Sequence, residues 1–245
     1  MKTGLVIDLG MVEYGAAWNL QRRLVAARKG GAVPDVLLLC EHPHVITLGR
    51  SGKLANLLAS DDAMRHMGVS FFETDRGGDI TYHGPGQLVG YPILNLAEIR
   101  RDVAWYVRSL EEAMIRATAE FGIASRRVSG RTGVWVDVPA EGATEEEKLA
   151  AIGVHLSRWV TSHGFAYNVS TDLRYFDLIV PCGISGRRAT SLEKLLGRAV
   201  EISEASTRIA AHLGELFGMD LREASRDSLD SLLREYEDQV VTSTA

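Results

Sequence analysis

The most informative stretch of the chain is Arg76-Gly-Gly-Asp-Ile-Thr-Tyr-His-Gly-Pro-Gly-Gln-Leu-Val-Gly-Tyr-Pro-Ile-Leu-Asn95. It combines five glycines and two prolines with Arg, Thr, Tyr, His and Gln side chains, which no ordinary core segment does. Glycines permit unusual dihedrals and close approach to the backbone, and prolines fix turns. The final part, Leu88 to Leu94, is hydrophobic and predicts a strand. We therefore expect a binding loop that leads into a sheet.

Two common nucleotide-binding motifs do not match this loop. A phosphate-binding P-loop ends in Gly-Lys-Ser/Thr at the start of a helix, whereas this stretch continues into a strand. The glycine spacing also differs from the GxGxxG of a dinucleotide-binding fold, and no helix follows. The pattern favours a cradle for an uncharged or carbonyl-bearing ligand. A tight surface turn without a ligand is the alternative.

Composition indicates a globular protein. The 245 residues are 46% hydrophobic and 24% charged, and no linker-like segment interrupts them, so we expect one domain over residues 1–245. The net charge of −5 does not suggest a nucleic-acid partner, although a local basic patch is compatible with it. No apolar run approaches the roughly 20 residues of a membrane span. The first eight residues predict a strand, and neither they nor the two cysteines indicate export, so we expect a cytoplasmic protein.

Hydrophobic periodicity predicts a mixed α/β architecture of the α+β type. Helices are expected at Val12 to Arg28, from Val103 to Phe121 and beyond Ala205. Besides Leu88 to Leu94, strands are expected at Val36 to Cys40, Gly133 to Val138, Lys148 to Val154 and Phe165 to Val169, with a polar hairpin loop at Pro139 to Glu147. The prediction is a mainly antiparallel sheet with flanking helices on one side.

The two cysteines differ in context. Cys40 ends an apolar run, which favours a buried small hydrophobe. Cys40, His42 and His44 alternate and could offer three metal ligands, but Pro43 interrupts the strand and no fourth ligand is near, so no metal is expected. Cys182 lies between Pro181 and Gly183, a context typical of an exposed thiol at a turn.

A nucleophilic Cys182 requires a cation or a base nearby. A cysteine of pKa about 8.5 is mostly protonated at neutral pH, and lowering that pKa by about 1.5 units requires roughly 2 kcal/mol. Lys148 is a candidate because it opens a small, apolar strand, on the same face as Ala150 and Ile152. A strand-end lysine that extends to water is the alternative. His83 and His163, each in a glycine-flanked turn, are rival bases.

Four separated motifs together resemble one enzyme family. They are Arg76 to Tyr91, Lys148-Leu-Ala-Ala-Ile-Gly153, His163-Gly-Phe-Ala-Tyr-Asn168 and Pro181-Cys-Gly183. In this order they are similar to the lipoyl(octanoyl) transferases, and the resemblance extends from Glu41-His42-Pro43 to Ser191-Leu-Glu-Lys-Leu195. His44 departs from the pattern, since family members often carry proline or a small residue there.

The resemblance implies an acyltransferase that needs no cofactor or metal. It would take octanoyl from acyl carrier protein and place it on a lysine of lipoyl domains of 2-oxoacid dehydrogenase complexes or of the glycine cleavage H protein. Cys182 would hold the acyl group as a thioester, and Lys148 would be the general acid/base. The implied fold is the catalytic domain of biotin and lipoate protein ligases. The implied substrate-binding residues are Arg76, Gly77, Gly78, Asp79, Ile80, Thr81, Tyr82, His83, Ala151, Ile152, Gly153, Gly164, Phe165 and Ala166.

Further expectations concern the transition state and the donor. Backbone N–H groups around Gly183 or in the Gly77-Gly78 turn are candidates for stabilising the oxyanion. Arg187-Arg188 and Arg126-Arg127 are candidate basic patches for an acidic carrier protein. Two other functions stay open at this stage: an ATP-dependent lipoate or biotin ligase that would not need Cys182, and a non-catalytic acyl-binding protein in which Cys182 is a core thiol.

Overall fold

The computed structural model describes residues 2–140, 143–180 and 188–244. The helices are α1 (Tyr14–Lys29), α2 (Asp61–His66), α3 (Val103–Glu120), α4 (Leu192–Leu196), α5 (Ile202–Phe217) and α6 (Arg226–Thr244). The strands are β1 (Lys2–Met11), β2 (Asp35–Glu41), β3 (Val45–Leu48), β4 (Ser70–Glu73), β5 (Ile80–His83), β6 (Gln87–Ile93), β7 (Arg126–Val128), β8 (Arg131–Ala140), β9 (Ala143–Ser157), β10 (Val160–Asn168), β11 (Arg188–Ala189) and β12 (Met219–Glu223).

Two sheets organise the described residues. The main sheet has the order β12-β1-β2-β6-β10-β9-β8-β7, with β11 added beside β9. The pairs of β1 with β2 and with β12 are parallel, as is the pair of β11 with β9, and the other pairs are antiparallel. The prediction of a mixed, mainly antiparallel sheet is confirmed. A smaller sheet, β4-β3-β5, was not predicted, because its strands are only four residues long.

Helices cover both faces of the main sheet, so the prediction of helices on one side is wrong. On β2, Leu37 and Leu39 belong to a core that contains α3 and α5 residues, whereas Leu38 and Cys40 belong to a second core with α1 and α6. Such a strand is an unbroken apolar run rather than an alternating one. That continuity in Val36 to Cys40 was the available signal for two covered faces.

The bounds of the polar hairpin loop predicted at Pro139 to Glu147 are wrong, although β8 and β9 do pair as an antiparallel hairpin. Their pairing extends into this range as a ribbon as far as Ala140 and Ala143, with Pro139 opposite Thr144. Ion pairs accompany this ribbon: Arg126 contacts the carboxylates of Asp137 and Glu146, each at 2.7 Å. Because these side chains are largely exposed, the ribbon lacks the alternation by which a half-buried strand is recognised.

The predicted periodic helices are present. The apolar stripe of α3 is fully buried at Tyr106, Leu110 and Met114, each with 0% exposure. The C-terminal helix α6 packs Leu229 and Leu233 into the core that contains α1. Among the helices in the described ranges, none combines the length and the apolar character needed to cross a bilayer.

A glycine and an aromatic ring fit together at the centre of the main sheet. Gly90 of β6 lies directly opposite Phe165 of β10. A Cβ atom built on Gly90 would lie 2.2 Å from the Phe165 ring. The ring therefore occupies the space that a side chain at position 90 would need, in a core where extra volume is poorly tolerated.

We predict that Gly90→Ala lowers the free energy of unfolding by about 1–3 kcal/mol, the usual cost of overpacking a core. Denaturant unfolding followed by circular dichroism measures it. Gly15→Ala is the matched control, since its Cβ would meet the Phe72 ring at an ordinary 3.5 Å inside α1. That control is expected to be neutral or stabilising. Equal stability of the Gly90 variant and the wild type would contradict the packing argument.

Candidate active site

A cavity of about 500 Å³ lies between the main sheet and the segment that carries β5. Strands β6, β9 and β10 form one wall, and residues 76–83 form another. Every substrate-binding residue implied by the resemblance lines this cavity except Tyr82. The structure therefore brings three separate motifs together at one site. Lys148 lines the same cavity.

The wall of the cavity that the main sheet forms carries small side chains. Ala151 lies opposite Ala166, and Gly153 lies opposite Gly164, on neighbouring strands. Directly opposed residues project on the same face of a sheet, so two adjacent rows of this wall carry only a methyl group or a hydrogen. The space that ordinary strand side chains would fill is thus left to the cavity.

The Gly77-Gly78 turn lies directly on β9. The Gly77 N–H donates to the Val154 carbonyl at 2.9 Å. A Cβ on Gly153 would lie 2.7 Å from the Gly77 carbonyl oxygen, so only glycine allows this approach. Because its N–H is already used, Gly77 does not fit the predicted role of an oxyanion donor, and in this turn Gly78 stays the candidate. Gly183, around which the other donors were predicted, lies outside the described residues.

Buried polar contacts fix the loop that follows β4. The guanidinium group of Arg76 donates to the carbonyl of Thr47 at 2.6 Å, to its hydroxyl at 2.9 Å and to the Gly77 carbonyl at 3.1 Å. Asp79 accepts from the Asn56 amide at 2.7 Å. These two residues line the cavity and also hold its wall in place. Arg76 is 7% exposed, so its charge is stabilised by these hydrogen bonds rather than by water.

Tyr82 belongs to the opposite face of β5. It is 0% exposed and packs in the core of the small sheet, while its neighbours Thr81 and His83 line the cavity. Tyr82 is therefore placed away from the cavity lining, because alternate residues of a strand point to opposite sides. Its hydroxyl and His44 Nδ1 are 2.7 Å apart, and its ring stacks on Tyr175 at 5.1 Å. His44, the departure from the family pattern, also stacks on Tyr175, at 4.0 Å.

Lys148 lies near the end of the cavity that β11 borders. Its ammonium nitrogen is 4.9 Å from the centroid of the Trp135 ring on β8. A cation in this position is attracted by the face of the ring. Gly133 provides the space for the lysine side chain, since a Cβ at position 133 would lie 2.9 Å from Lys148 Cε. The φ of Gly133 is +126°. Neither Trp135 nor Gly133 was predicted, because only the pairing of β8 with β9 places them beside the lysine.

Cys182, with Pro181, Gly183 and Arg187, lies outside the described residues. The chain on both sides of this interval is anchored. The Val180 N–H donates to the Asn56 carbonyl at 2.7 Å. On the other side, Ala189 is the register partner of Lys148, and the Thr190 N–H donates to the Lys148 carbonyl at 2.9 Å. The strand of the candidate base and the segment after the candidate nucleophile are therefore bonded together.

The rival bases lie at different positions. His163 is opposite Val154, six residues along β9 from Lys148, or about 20 Å at strand spacing. There its Nε2 contacts Asp75 at 2.7 Å. His83 is closer to the end of the cavity that holds Lys148. Its Nδ1 contacts Gln87 at 2.7 Å, and Gln87 is connected through Asn168 to Thr190, which is bonded to Lys148. Burial lowers the pKa of His83 to about 3.

Cys40 is 2% exposed, which confirms that it is a buried thiol. Burial raises its pKa, so it is a poor nucleophile. Its Sγ lies 3.6 Å from His42 Nε2, which also contacts the Tyr91 hydroxyl at 2.7 Å, whereas His44 is directed to Tyr82. Within residues 2–140, 143–180 and 188–244, no group of three His, Cys, Asp or Glu side chains is arranged to hold a metal ion.

The predicted basic patch at Arg126-Arg127 is compensated by acidic groups. Arg126 contacts Asp137 and Glu146. Arg127 contacts the carboxylates of α3, Glu111 at 3.0 Å and Glu112 at 2.7 Å. These pairs leave no excess positive charge there, so the structure argues against this patch. Arg188 is exposed and lines the cavity.

The architecture and the cavity define a catalytic domain of the lipoate protein ligase type. A bipartite lipoate protein ligase from Thermoplasma acidophilum superposes with a TM-score of 0.73 at 18% identity, over 97% of this chain and 93% of that protein. A lipoate-protein ligase A bound with ATP gives 0.70 at 19% identity, over 96% and 94%. At these identities the likeness concerns the fold.

Sequence relatives narrow the assignment. The model of the lipoyl protein ligase A/B catalytic domain matches residues 13–214. A protein of Solibacter usitatus named octanoyltransferase is 52% identical over 90% of this chain and 96% of its own length. One of Acidobacterium capsulatum with the same name is 51% identical over 87% and 89%. The chain belongs to the octanoyltransferases within the lipoyl protein ligase A/B catalytic-domain family.

We predict that the free energy of unfolding falls as the pH is lowered from about 7 to about 5. Burial lowers the pKa of His42 to about 4 and that of His83 to about 3, so both stay neutral when folded. In the unfolded chain each has a pKa of about 6.5 and binds a proton in this range. The unfolded state thus binds more protons, and folding loses stability as the pH falls.

Urea unfolding at the two pH values measures this loss. His83→Asn is expected to lose part of the pH dependence. His66→Asn, at an exposed position on α2, is expected to keep all of it. The same pH dependence in both variants would contradict the prediction.

Proposed function

We propose that this chain transfers an octanoyl group from octanoyl-acyl carrier protein to a lysine of a lipoyl domain, with residues 1–245 acting as one catalytic domain. The observation that carries the proposal is a single cavity, walled by small residues, with Lys148 among its lining. Relatives named octanoyltransferase at 45–52% identity support the same reaction. An acceptor that is a lipoyl domain agrees with the family as a whole.

The dimensions of the cavity suit an eight-carbon chain. Seven C–C bonds of about 1.5 Å give a contour of at most about 11 Å. From Lys148 to Gly153, five residues of strand span about 17 Å. The chain is shorter than this stretch of strand, so with its carbonyl carbon near Lys148 an extended octanoyl group ends before the Gly153-Gly164 pair. Each buried CH₂ contributes about 0.8 kcal/mol to binding, so the cavity favours a chain that fills it.

The chemistry would proceed in two transfers. The Cys182 thiol gives its proton to Lys148 and attacks the donor thioester. The C–S bond to the carrier breaks, and the carrier thiolate takes the proton. The acyl group then rests on Cys182 as a thioester. In the second transfer the acceptor lysine amine attacks and gives one proton to the now neutral Lys148, an amide forms and the thiolate of Cys182 leaves. Exchange of one thioester for another is nearly balanced, so ATP is not required.

Two features support Lys148 as the acid/base group. The Trp135 ring stabilises its ammonium form, and a cation near a cysteine stabilises the thiolate. Thr190, whose N–H donates to the Lys148 carbonyl, lies eight residues after Cys182 in the sequence. A free nucleophilic thiol is also consistent with a reducing, cytoplasmic environment. Arg188, exposed at the cavity, is the remaining described candidate for contact with an acidic carrier protein.

We predict that incubation with octanoyl-acyl carrier protein, without ATP, adds one octanoyl mass to the wild type, and that Cys182→Ala abolishes the adduct. Intact-mass spectrometry detects it, and hydroxylamine should remove it because thioesters are labile. Cys40→Ala is the matched control, since Cys40 is the other cysteine and is buried. It should still be acylated. Dependence on ATP would favour a ligase, and absence of any adduct in the wild type would favour a non-catalytic acyl-binding protein.

We predict that Gly133→Ala slows formation of the acyl-enzyme about 10- to 100-fold, less than the roughly 10²- to 10⁴-fold contribution of a positioned acid/base group, because Lys148 is displaced rather than removed. A Cβ at position 133 would clash with the Ala150 carbonyl oxygen and would lie 2.9 Å from Lys148 Cε, so strand β9 has to shift and Lys148 loses its place over Trp135. Gly122→Ala, in the turn after α3, is the control: it also has a positive φ and no atom within 4 Å of the new Cβ, and it does not line the cavity. Rapid-quench measurement with octanoyl-acyl carrier protein compares the rates. Equal rates for the two variants would argue against the positioning of Lys148 by Gly133.

A further inference from the structure

A chain of buried hydrogen bonds runs from the segment after β11 to the cavity. The Asn168 amide donates to the Thr190 carbonyl at 2.9 Å. The Gln87 amide donates to Asn168 Oδ1 at 2.9 Å and to the Tyr82 carbonyl at 3.2 Å. Gln87 Oε1 then contacts His83 Nδ1 at 2.7 Å. Gln87 and Asn168 are 2% and 4% exposed, so water does not substitute for these bonds.

The direction of every bond in this chain is fixed by its ends. A backbone carbonyl only accepts, so Asn168 must present its NH₂ group to Thr190 and its oxygen to Gln87. Gln87 must therefore present its NH₂ group to Asn168 and Tyr82, which leaves its oxygen toward His83. His83 Nδ1 must carry a hydrogen. In a neutral imidazole the other nitrogen, Nε2, is then an acceptor.

The surroundings of His83 keep it neutral. Its ring stacks on Tyr14 at 6.0 Å and meets His42 edge to face at 6.0 Å. Burial disfavours the imidazolium. In the part of the chain that the structure describes, Nε2 forms no hydrogen bond, and His83 lines the cavity. An acceptor that does not become a cation near neutral pH is therefore available to a molecule in the cavity.

This acceptor shares an anchor with the candidate base. Thr190 accepts from Asn168 through its carbonyl and donates to the Lys148 carbonyl through its N–H. Gln87 on β6 is the register partner of Asn168 on β10. The preceding residue of β10, Tyr167, is paired with Ala150, which lies two residues from Lys148 on β9. One residue, Thr190, thus holds the Lys148 strand and the His83 hydrogen-bond chain at the same end of the cavity.

We propose that His83 Nε2 accepts a hydrogen bond from the attacking amine of the acceptor lysine and orients its lone pair toward the acyl carbonyl. This inference rests on the proposed octanoyl transfer and assigns a substrate-contacting role to a residue outside the Cys182-Lys148 pair. A primary amine has two N–H groups. One proton passes to neutral Lys148 as the C–N bond forms and the C–S bond to Cys182 breaks. The second N–H stays on nitrogen, bonded to His83, and becomes the amide N–H of the product.

The first test is the tautomer. The protein is labelled with ¹⁵N in histidine, and long-range ¹H–¹⁵N correlation spectra distinguish protonated from unprotonated ring nitrogens. The His83 signals are identified by their absence in His83→Asn. We expect a hydrogen on Nδ1 and none on Nε2 near neutral pH. A hydrogen on Nε2 would overturn the proposal, and this result does not depend on any activity.

The second test separates the two transfers. In His83→Asn the side-chain amide keeps a donor near the position of Nδ1 but places no atom at that of Nε2. Octanoyl-enzyme is prepared, isolated and mixed with a lipoyl domain, and loss of the adduct is followed by mass. We expect transfer to slow about 10- to 100-fold, the effect of one hydrogen bond in a polar transition state, and to slow by a larger factor than acylation does. His66→Asn, at an exposed position, should change neither rate.

A pH profile distinguishes this role from a structural one. In Gln87→Glu a carboxylate faces Nδ1, which raises the pKa of His83 and turns Nε2 into a donor at low pH. The substitution also removes the donors to Asn168 and to the Tyr82 carbonyl, so urea unfolding first establishes that the variant is folded. The transfer rate of this variant should fall as the pH is lowered through that raised pKa, while acylation is not expected to follow it. Equal losses of acylation and transfer in His83→Asn, or no loss in either, would overturn the proposal. Absence of acyl-enzyme in the wild type would instead reject the octanoyl transfer, while the tautomer measurement still reports on His83.

Discussion

The site depends on one contact between backbones. The Gly77 N–H donates to the Val154 carbonyl, and Gly153 has no side chain to prevent the approach. The small sheet and the main sheet meet here without intervening side chains. A single hydrogen bond of this kind contributes only about 1 kcal/mol. Its importance is geometric, because it sets the separation of the two walls between which an acyl chain has to fit.

Polar groups in the cavity are bonded mainly to the protein itself. Arg76 is bound to Thr47, Asp79 to Asn56, and Asn168 to Gln87 and Thr190. An apolar chain that enters does not have to strip these groups of their partners, a step that would cost free energy for each group. The same arrangement explains how a loop rich in polar residues can border a site for an aliphatic substrate. The polarity of the loop builds the wall rather than binding the chain.

Much of the site could be predicted from sequence because its chemistry is local. The motifs around Arg76, Lys148 and His163 place thirteen of the fourteen implied substrate residues on one cavity. Tyr82 is the exception because the loop contains a strand, β5, and the alternation of side chains along that strand directs the Tyr82 ring away from the cavity. The neighbours of Lys148, Trp135 and Gly133, could not be predicted from sequence for another reason. They come close to the lysine only through the pairing of β8 with β9. Charge compensation at Arg126 likewise needs coordinates. Cys182 lies outside the described residues, and its role stays a prediction.

The pairing of Ala189 with Lys148 has a consequence for how the site can fail. The segment that follows the candidate nucleophile is paired with the strand that carries the candidate base. Lys194 adds an ion pair with Glu147, the residue before Lys148, at 2.7 Å. Opening of the sheet at this position would release the Lys148 strand and the chain at Thr190 in one event, because the two are hydrogen-bonded to each other. These two segments therefore form one cooperative unit, in which neither is lost without the other.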